Sequence, residues 1–305
     1  MTAKHSWATL PHTFLGLDPA EHTLEASRVV LLPAPYDATT SYKGGTREGP
    51  AAIIRASRQM EDYDPELDAP PCDVGIHTAT ELEPHARGPE AMVARVTEAY
   101  EWYAAQGKLV GMLGGEHSLT PAGVSATAKH YPNLSVLYFD AQADLRNEYQ
   151  DSPHSHASAA RRSLEHAPVS LVGIRSMAAE EMALVREKNI PFFQRGPEPI
   201  TEVDSIVDTL SDNVYISFDL DAFDPAVVAG VGTPEPGGLG WWEALRIIRA
   251  AAQRRRVVGF DVMELAPGEG PEAGAYAAAK LVYKIIGYAT CEGGSAARGE
   301  GKAGR

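Results

Sequence analysis

The chain of 305 residues lacks most of the features that mark secreted, membrane-bound or modular proteins. Its two cysteines, Cys72 and Cys291, are too few for a disulfide framework, which fits a reducing cytosol. No apolar run approaches the ~18 residues that a membrane span needs, and no basic segment precedes an apolar one at the N-terminus. We therefore expect a cytoplasmic protein with no membrane partner.

Basic residues are also scarce. Only 27 Lys and Arg residues oppose 41 Asp and Glu residues, which gives a formal net charge of −14. Nucleic acids need a basic face to neutralise their phosphates, so this composition excludes them as partners. An acidic protein favours the approach of a cationic ligand through its field, although the same charge also serves solubility alone.

Strand-like and helix-like segments alternate along the chain, with no internal repeat and no Pro/Ser-rich linker. The strand candidates are 28–33, 73–76, 108–113, 134–139, 169–174, 214–218 and 257–263. This alternation predicts a parallel sheet covered by helices on both faces. We expect one domain over 1–305, with an N-terminal extension at 1–25 and a Gly-rich tail at 290–305 outside the core.

Two acidic clusters follow two of these strand candidates. Asp140 and Asp144 come directly after the run at 134–139, and Asp219 and Asp221 follow the run at 214–218. Alternate residues of an extended chain point to the same side, so each cluster directs its carboxylates towards one point. Four converging carboxylates without a cation would repel one another and raise one another's pKa. The clusters therefore predict a pair of hard divalent metal ions.

A histidine follows a third strand candidate. The run at 108–113 ends in Gly-Gly-Glu-His-Ser at 114–118, where the paired glycines permit a sharp turn and a close approach to a ligand. His117 then lies at the sheet edge where open α/β sheets bind their ligands. Alone, His117 would be interpreted as a helix-start residue. Beside two acidic clusters we predict that it binds metal, and this mixed nitrogen and oxygen set suits Mn²⁺ better than zinc.

Four motifs, in this order, resemble those of the ureohydrolases, the superfamily of arginase, agmatinase, guanidinobutyrase and formiminoglutamase. They are GGEHS at 114–118, DAQAD at 140–144, SFDLDAFDP at 217–225 and FDVMEL at 260–265. The resemblance covers about residues 30–285 and is strongest to agmatinases at 36–57 and 145–162. It implies a three-layer α/β/α fold with a mostly parallel sheet of about eight strands, two Mn²⁺ ions, and release of urea from a guanidino compound.

The resemblance also assigns a set of metal ligands. They are His117, Asp140, Gln142, Asp144, Asp219 and Asp221. Asp140 and Asp219 would serve both ions, whereas Asp144 would complete the first site and Asp221 the second. The sequence departs from the family at Gln142, where a histidine normally binds the second ion. An amide oxygen is a weaker ligand than imidazole, so we expect a Gln142 oxygen ligand, a low-affinity second site, or a loss of activity.

Three residues receive catalytic roles by the same resemblance. Asp144 would relay a proton to the departing amine. His156 would shuttle protons at the mouth of the site, for which the ordinary pKa of histidine is suited, and His154 is its rival. Glu264 would hold the planar guanidinium with two hydrogen bonds.

The expected function is manganese-dependent hydrolysis of agmatine to putrescine and urea by a homo-oligomer, either a trimer or a hexamer. Glu148 and Asp151, with the net charge, favour a substrate that ends in an amine rather than a carboxylate. Two alternatives remain open. One is a ureohydrolase for another cationic guanidine, such as guanidinobutyrate or aminopropylagmatine, and the other is a metal-poor, non-catalytic homologue that binds polyamines or acts structurally.

Overall fold

One sheet organises the molecule, whose structure is a computed structural model that describes residues 9–292. Within this part of the chain the sheet has eight strands in the order β2-β1-β3-β8-β7-β4-β5-β6, and every pairing is parallel. The strands are β1 (Val29–Ala34), β2 (Ile76–Thr78), β3 (Leu109–Gly114), β4 (Leu134–Phe139), β5 (Val169–Val172), β6 (Phe192–Phe193), β7 (Asn213–Asp219) and β8 (Arg256–Met263).

Helices cover both faces of this sheet. They are α1 (Gly49–Ser57), α2 (Pro89–Ala104), α3 (Thr120–Ala128), α4 (Ala159–Ser163), α5 (Ala179–Lys188), α6 (Val203–Asp208), α7 (Trp241–Arg254) and α8 (Ala273–Gly287). Successive strand residues enter opposite hydrophobic clusters: Val29 and Leu31 pack with α1, α7 and α8, whereas Val30 and Leu32 pack with α2 and α3. This arrangement confirms the predicted three-layer α/β/α fold.

The edges of the sheet differ from the sequence-based expectation. β6 has only two residues, too few to show any periodicity, and we did not predict it. The strand predicted at 73–76 begins only at Ile76, because a 3₁₀ turn at Pro71–Val74 and the left-handed Gly75 (φ 78°) precede it. No helix of residues 9–292 is long and apolar enough to cross a membrane.

The two chain ends were expected to lie outside the core. Phe14 instead is fully buried and packs at 6.3 Å from the ring of Tyr283, and its amide donates to Thr78. The segment before residue 25 is therefore not wholly outside the core. Of the predicted tail, 293–305 lies outside the described residues.

The strand order places the four sequence motifs side by side. β3, β8, β7 and β4 are consecutive neighbours at the centre of the sheet, and one motif lies at the carboxyl end of each. Because all four run in parallel, their carboxyl ends meet at one edge, where open α/β sheets bind ligands. Residues that are far apart in sequence, from His117 to Glu264, are thereby brought to one place.

Candidate metal centre and active site

A buried imidazole lies among three carboxylates at this edge. His117 Nδ1 is 3.0 Å from Asp140 Oδ2, 3.0 Å from Asp219 Oδ2 and 3.4 Å from Asp144 Oδ2. One ligand atom from each of His117, Asp140 and Asp219 lies within 4.8 Å of the others, and all three residues are buried. The structure thus brings together the strand-end residues that we predicted to converge, while their role as metal ligands stays a prediction.

The hydrogen bonds around His117 define its tautomer. Nε2 is 2.9 Å from Ser217 Oγ, whose hydroxyl donates to Asp261 Oδ1 at 2.8 Å. The Asp261 carboxylate also accepts from Thr120 Oγ1, Tyr215 Oη and the amide of Phe218. Because the Ser217 proton is committed to Asp261, Ser217 accepts from Nε2–H, and the lone pair of Nδ1 is then available to a cation held between Nδ1 and the carboxylates. Metal-binding histidines are held in this way, with the second ring nitrogen donating to a supporting acceptor.

The donor set fits a divalent cation. Asp140 Oδ2 is buried and has no hydrogen-bond partner among the described residues, although a buried carboxylate oxygen normally has one. Burial and the neighbouring carboxylates raise the pKa values of Asp140 and Asp219 well above the ordinary range. A cation shared by these oxygens and His117 Nδ1 would keep the carboxylates ionised. One imidazole with several carboxylates suits Mn²⁺.

Asp221 and Gln142 flank this group on the side of the predicted second ion. Asp221 Oδ1 accepts from the amide of Ala141 at 3.1 Å, and Oδ2 accepts from Thr233 Oγ1 at 2.9 Å. Thr233 Oγ1 is also 3.4 Å from Gln142 Oε1. The single Thr233 proton is better placed for Asp221, so the Gln142 oxygen keeps a free lone pair. Its service as a metal ligand stays a prediction.

Arg175, which sequence reasoning missed, holds the loops that carry Asp221 and Thr233. Its guanidinium donates to the backbone carbonyls of Asp221 at 2.7 Å and Glu235 at 2.7 Å. Further bonds reach the carbonyls of Gly173, Ala222, Phe223 and Pro236. The five donors of a guanidinium are fixed in one plane, so this residue locks the two loops to each other. Burial lowers the pKa of Arg175.

Asp144 and Glu264 both have left-handed backbone conformations, with φ of 50° and 67°. Such angles are costly for residues other than glycine and persist where the surroundings fix them, often at functional sites. Asp144 Oδ2 accepts from Tyr138 Oη at 2.8 Å. Glu264 Oε1 accepts from the amide of His117 at 2.7 Å, and its own amide donates to Gly115. Burial raises the pKa values of both carboxyl groups.

A cavity opens over these carboxylates. It is lined by Thr40, Ser41, Tyr42, Lys43, His117, Gln142, Asp144, His156, Asp219, Asp221, Gly232, Thr233 and Glu264. His156 is half-buried in its wall, and burial lowers its pKa. His154 lies two residues earlier in the loop, where its amide bonds to Ser152, and the cavity lining does not include it. The structure therefore places His156, rather than its rival, at the mouth.

The cavity continues outward into a second compartment of about 340 Å³. The two share Ser41, Gln142, Asp144, His156 and Thr233. The outer walls add Arg146, Tyr149, Ala157, Ser176, Met177, Ala178, Glu181 and Glu235. Arg146 forms a salt bridge with Glu180, with 3.2 Å between Nη1 and Oε1, and its guanidinium lies over the ring of Tyr149. Glu148 and Asp151, which we expected near the pocket, are not part of either lining.

Sequence reasoning missed several supporting polar residues, chiefly Tyr138, Ser217 and Thr233. A signal existed for Ser217, since it is a polar residue inside an apolar buried strand and lies two positions before Asp219, on the same side. Ser217 also pairs with Asp261 in the β7–β8 register. No comparable signal marks Tyr138, whose ring is apolar and fits any buried strand.

A parallel α/β sheet with buried imidazole and carboxylate groups at its carboxyl edge is typical of a metal-dependent hydrolase. A model of the arginase family matches residues 27–287. The chain is 39% identical to an N(1)-aminopropylagmatine ureohydrolase from Synechocystis, over 94% of this chain and 97% of the relative. It is 34% identical to an agmatinase from Pyrococcus horikoshii, over 85% of this chain and 90% of the relative.

A solved structure agrees with these relatives. The agmatine ureohydrolase of Thermoplasma volcanium superposes with a TM-score of 0.81 at 29% identity, covering 89% of this chain and 94% of that one. The chain therefore belongs to the arginase family. It is a hydrolase that acts on a guanidino carbon–nitrogen bond.

Proposed function

We propose that the protein is a manganese-dependent ureohydrolase that releases urea from a linear guanidine with a cationic tail, with agmatine as the first candidate substrate. The observation that carries the proposal is the buried group of His117, Asp140 and Asp219, of which His117 and Asp219 line one cavity with Glu264. We also propose a single domain over 1–305, a cytoplasmic location, and a homo-oligomeric state, trimer or hexamer, which light scattering would measure.

His117, Asp140, Asp144, Asp219 and Asp221 would hold two divalent ions, with Gln142 at the remaining position. When bound, such ions lower the pKa of water to about 7 and so supply a nucleophile at neutral pH. The residues around them would bind the guanidinium group and transfer protons. Glu264 faces the same cavity and is fixed by the His117 amide through one oxygen, so a planar guanidinium can bond to its carboxylate.

We assign proton transfer to two residues that line both compartments. Asp144 lies among the carboxylates, with Tyr138 bonded to its Oδ2, and would take the proton that the attacking water loses and pass it to the departing amine. His156 lies further out, in the wall that the two compartments share, and exchanges protons between the site and solvent. Histidine suits this exchange because its ordinary pKa lies near operating pH.

A second candidate substrate is N(1)-aminopropylagmatine, which is longer than agmatine. Two observations favour it: the higher identity to the Synechocystis relative, 39% against 34%, and the outer compartment. The Glu235 carboxylate lines that compartment and interacts electrostatically with Arg175. An ammonium group on a long tail would find a partner there.

We predict that agmatine and aminopropylagmatine are both hydrolysed with a kcat/KM at least roughly 10²-fold above that of arginine, since placing like charges together costs several kcal/mol. Arginine would bring its carboxylate to a compartment lined by Glu181 and Glu235, where the one Arg or Lys side chain of the lining, Arg146, is already paired with Glu180. Urea release should be measured for these guanidines and guanidinobutyrate, with metal content determined on the same sample. A preference for arginine would contradict the cationic tail. Low metal content without urea from any of them would favour the metal-poor, non-catalytic alternative.

We predict that Gln142→His strengthens Mn²⁺ binding at the second position by roughly 10-fold or more. Even residues that only support the metal ligands change metal affinity by roughly 10- to 100-fold. Imidazole is the better donor, so turnover at limiting Mn²⁺ should rise as well. Titration with Mn²⁺ and metal analysis would measure both effects. Gln142→Ala serves as the control, because it offers no donor atom and should lose the second ion if the amide oxygen binds it. Equal metal content and activity in the Gln and His forms would contradict the prediction.

A further inference from the structure

Thr39 connects a buried glutamate to His156. Glu116 is fully buried, and its carboxylate accepts three hydrogen bonds. The amide of Thr39 donates to Oε2 at 2.6 Å, the Thr39 hydroxyl donates to Oε1 at 2.7 Å, and Ser118 Oγ donates to Oε1 at 2.5 Å. Three donors converge on Glu116, so it acts here as an acceptor only.

This arrangement restricts what Thr39 offers to His156. A threonine hydroxyl has one proton, and that proton is committed to Glu116, so Thr39 Oγ1 can only accept further bonds. It accepts from the His156 amide at 3.0 Å and lies 3.3 Å from His156 Nδ1. An unprotonated Nδ1 would place its lone pair against the lone pairs of Thr39. The contact with Thr39 therefore favours a hydrogen on Nδ1.

The other ring nitrogen has the opposite environment. His156 Nε2 lies 3.2 Å from Ser41 Oγ, and both Ser41 and His156 line the cavity. The exposed Ser41 hydroxyl is free to rotate and donate, so it is compatible with a lone pair on Nε2. Ser155 Oγ is the one further neighbour of Nδ1, at 3.4 Å, and it already accepts from the amide of Ala157. Its hydroxyl can accept from Nδ1–H or donate to Nδ1, so Ser155 is compatible with either tautomer and Thr39 is the neighbour that distinguishes them.

We propose that Thr39, anchored by Glu116, is a positioning residue that holds neutral His156 in the Nδ1–H tautomer and so presents Nε2 as the proton-accepting atom on the cavity side. The catalytic consequence rests on the proposed function, whereas the tautomer is a property of the chain itself. If Thr39 did not fix the ring, part of the population would carry its hydrogen on Nε2, and those molecules could not accept a proton on the cavity side.

The tautomer can be observed directly by nuclear magnetic resonance. Full-length protein with ¹⁵N-labelled histidine, loaded with diamagnetic Mg²⁺, gives two-bond ¹⁵N–¹H patterns that distinguish the two tautomers. His156→Asn identifies the His156 signals by their loss. We expect the Nδ1–H pattern in the native protein and in Thr39→Ser, and a mixed or Nε2–H pattern in Thr39→Val, which has the same shape without the hydroxyl. An Nε2–H pattern in the native protein overturns the proposal, even if Thr39→Val fails to fold.

Kinetics supply the second readout. Thr39→Val should lower kcat roughly 10-fold with little change in KM, a part of the 10²–10⁴-fold that a positioned acid or base contributes, and Thr39→Ser should restore it. Ser155→Ala should leave the tautomer unchanged; a shift in that variant instead would assign the control to Ser155 and overturn the proposal. Absence of urea release from every guanidine would contradict the proposed function, and the resonance patterns would still decide the tautomer.

Discussion

Asp219→Asn should remove most of the bound Mn²⁺ and lower the kcat/KM of urea release by at least roughly 10³-fold, because water then attacks without its lowered pKa. Asp219 Oδ2 lies 3.0 Å from His117 Nδ1, and Oδ1 accepts from the amide of Asp221, so the residue connects both halves of the predicted site. Asparagine keeps the shape and one acceptor but loses the charge. Metal analysis and urea release on the same preparation would measure the two effects together.

The same substitution should have opposite effects on stability with and without metal. In metal-free protein it removes one of several repelling buried carboxylates, whose burial raises their pKa values, so the melting temperature should rise. With Mn²⁺ at 100 times its dissociation constant, the native protein should gain about 2.7 kcal/mol, a gain that the variant largely lacks. The order of the two melting temperatures should therefore reverse when Mn²⁺ is added.

Asp212→Asn is the matched control. Asp212 immediately precedes β7 at its opposite end and is exposed, so the exchange of Asp for Asn there should change neither metal content nor the response to Mn²⁺. If Asp219→Asn bound as much Mn²⁺ as the native protein, the prediction that Asp219 binds both ions would be wrong.

The part of the site that the sequence predicts consists of residues at strand ends. Asp140 and Asp219 could be placed because each ends an apolar run, and in a parallel sheet all such ends lie on one side. Adjacency was not predictable in the same way. Periodicity shows that a segment is a strand but not which strand it pairs with, and β8 inserts between β3 and β7 from far along the chain. Without motif resemblance, Glu264 would have had no assigned place.

The supporting hydrogen bonds could not be predicted from the sequence, for a different reason. Thr39, Tyr138 and Thr233 act through single hydroxyl groups whose partners lie 77, 6 and 12 residues away. Neither composition nor spacing distinguishes these hydroxyls from others in the chain. The left-handed backbone at Asp144 and Glu264 was equally hidden, since tertiary contacts impose it against the local preference of both residues. Residue types could be predicted at the site, but their orientation could not.

Glu264→Gln should separate substrate binding from metal binding. Hydrogen bonds to charged groups contribute roughly 1.5–3 kcal/mol, so loss of the carboxylate charge should lower kcat/KM for agmatine by about 10- to 200-fold. Metal content should stay near that of the native protein. The glutamine oxygen can still accept from the His117 amide at the position of Oε1, so the residue after β8 should keep its place.

Glu272→Gln is a suitable control, because Glu272 is an exposed acid that precedes α8 and does not line the cavity. It should match the native protein in both metal content and kinetics.

The two site variants should then differ in metal content, since Asp219→Asn loses metal and activity together whereas Glu264→Gln retains metal and loses activity. Should Glu264→Gln lose its Mn²⁺ instead, the carboxylate would belong with the metal ligands, and another group would have to hold the guanidinium. The only other acids in the cavity lining are Asp144, Asp219 and Asp221, so that result would require one of them to serve both metal and substrate.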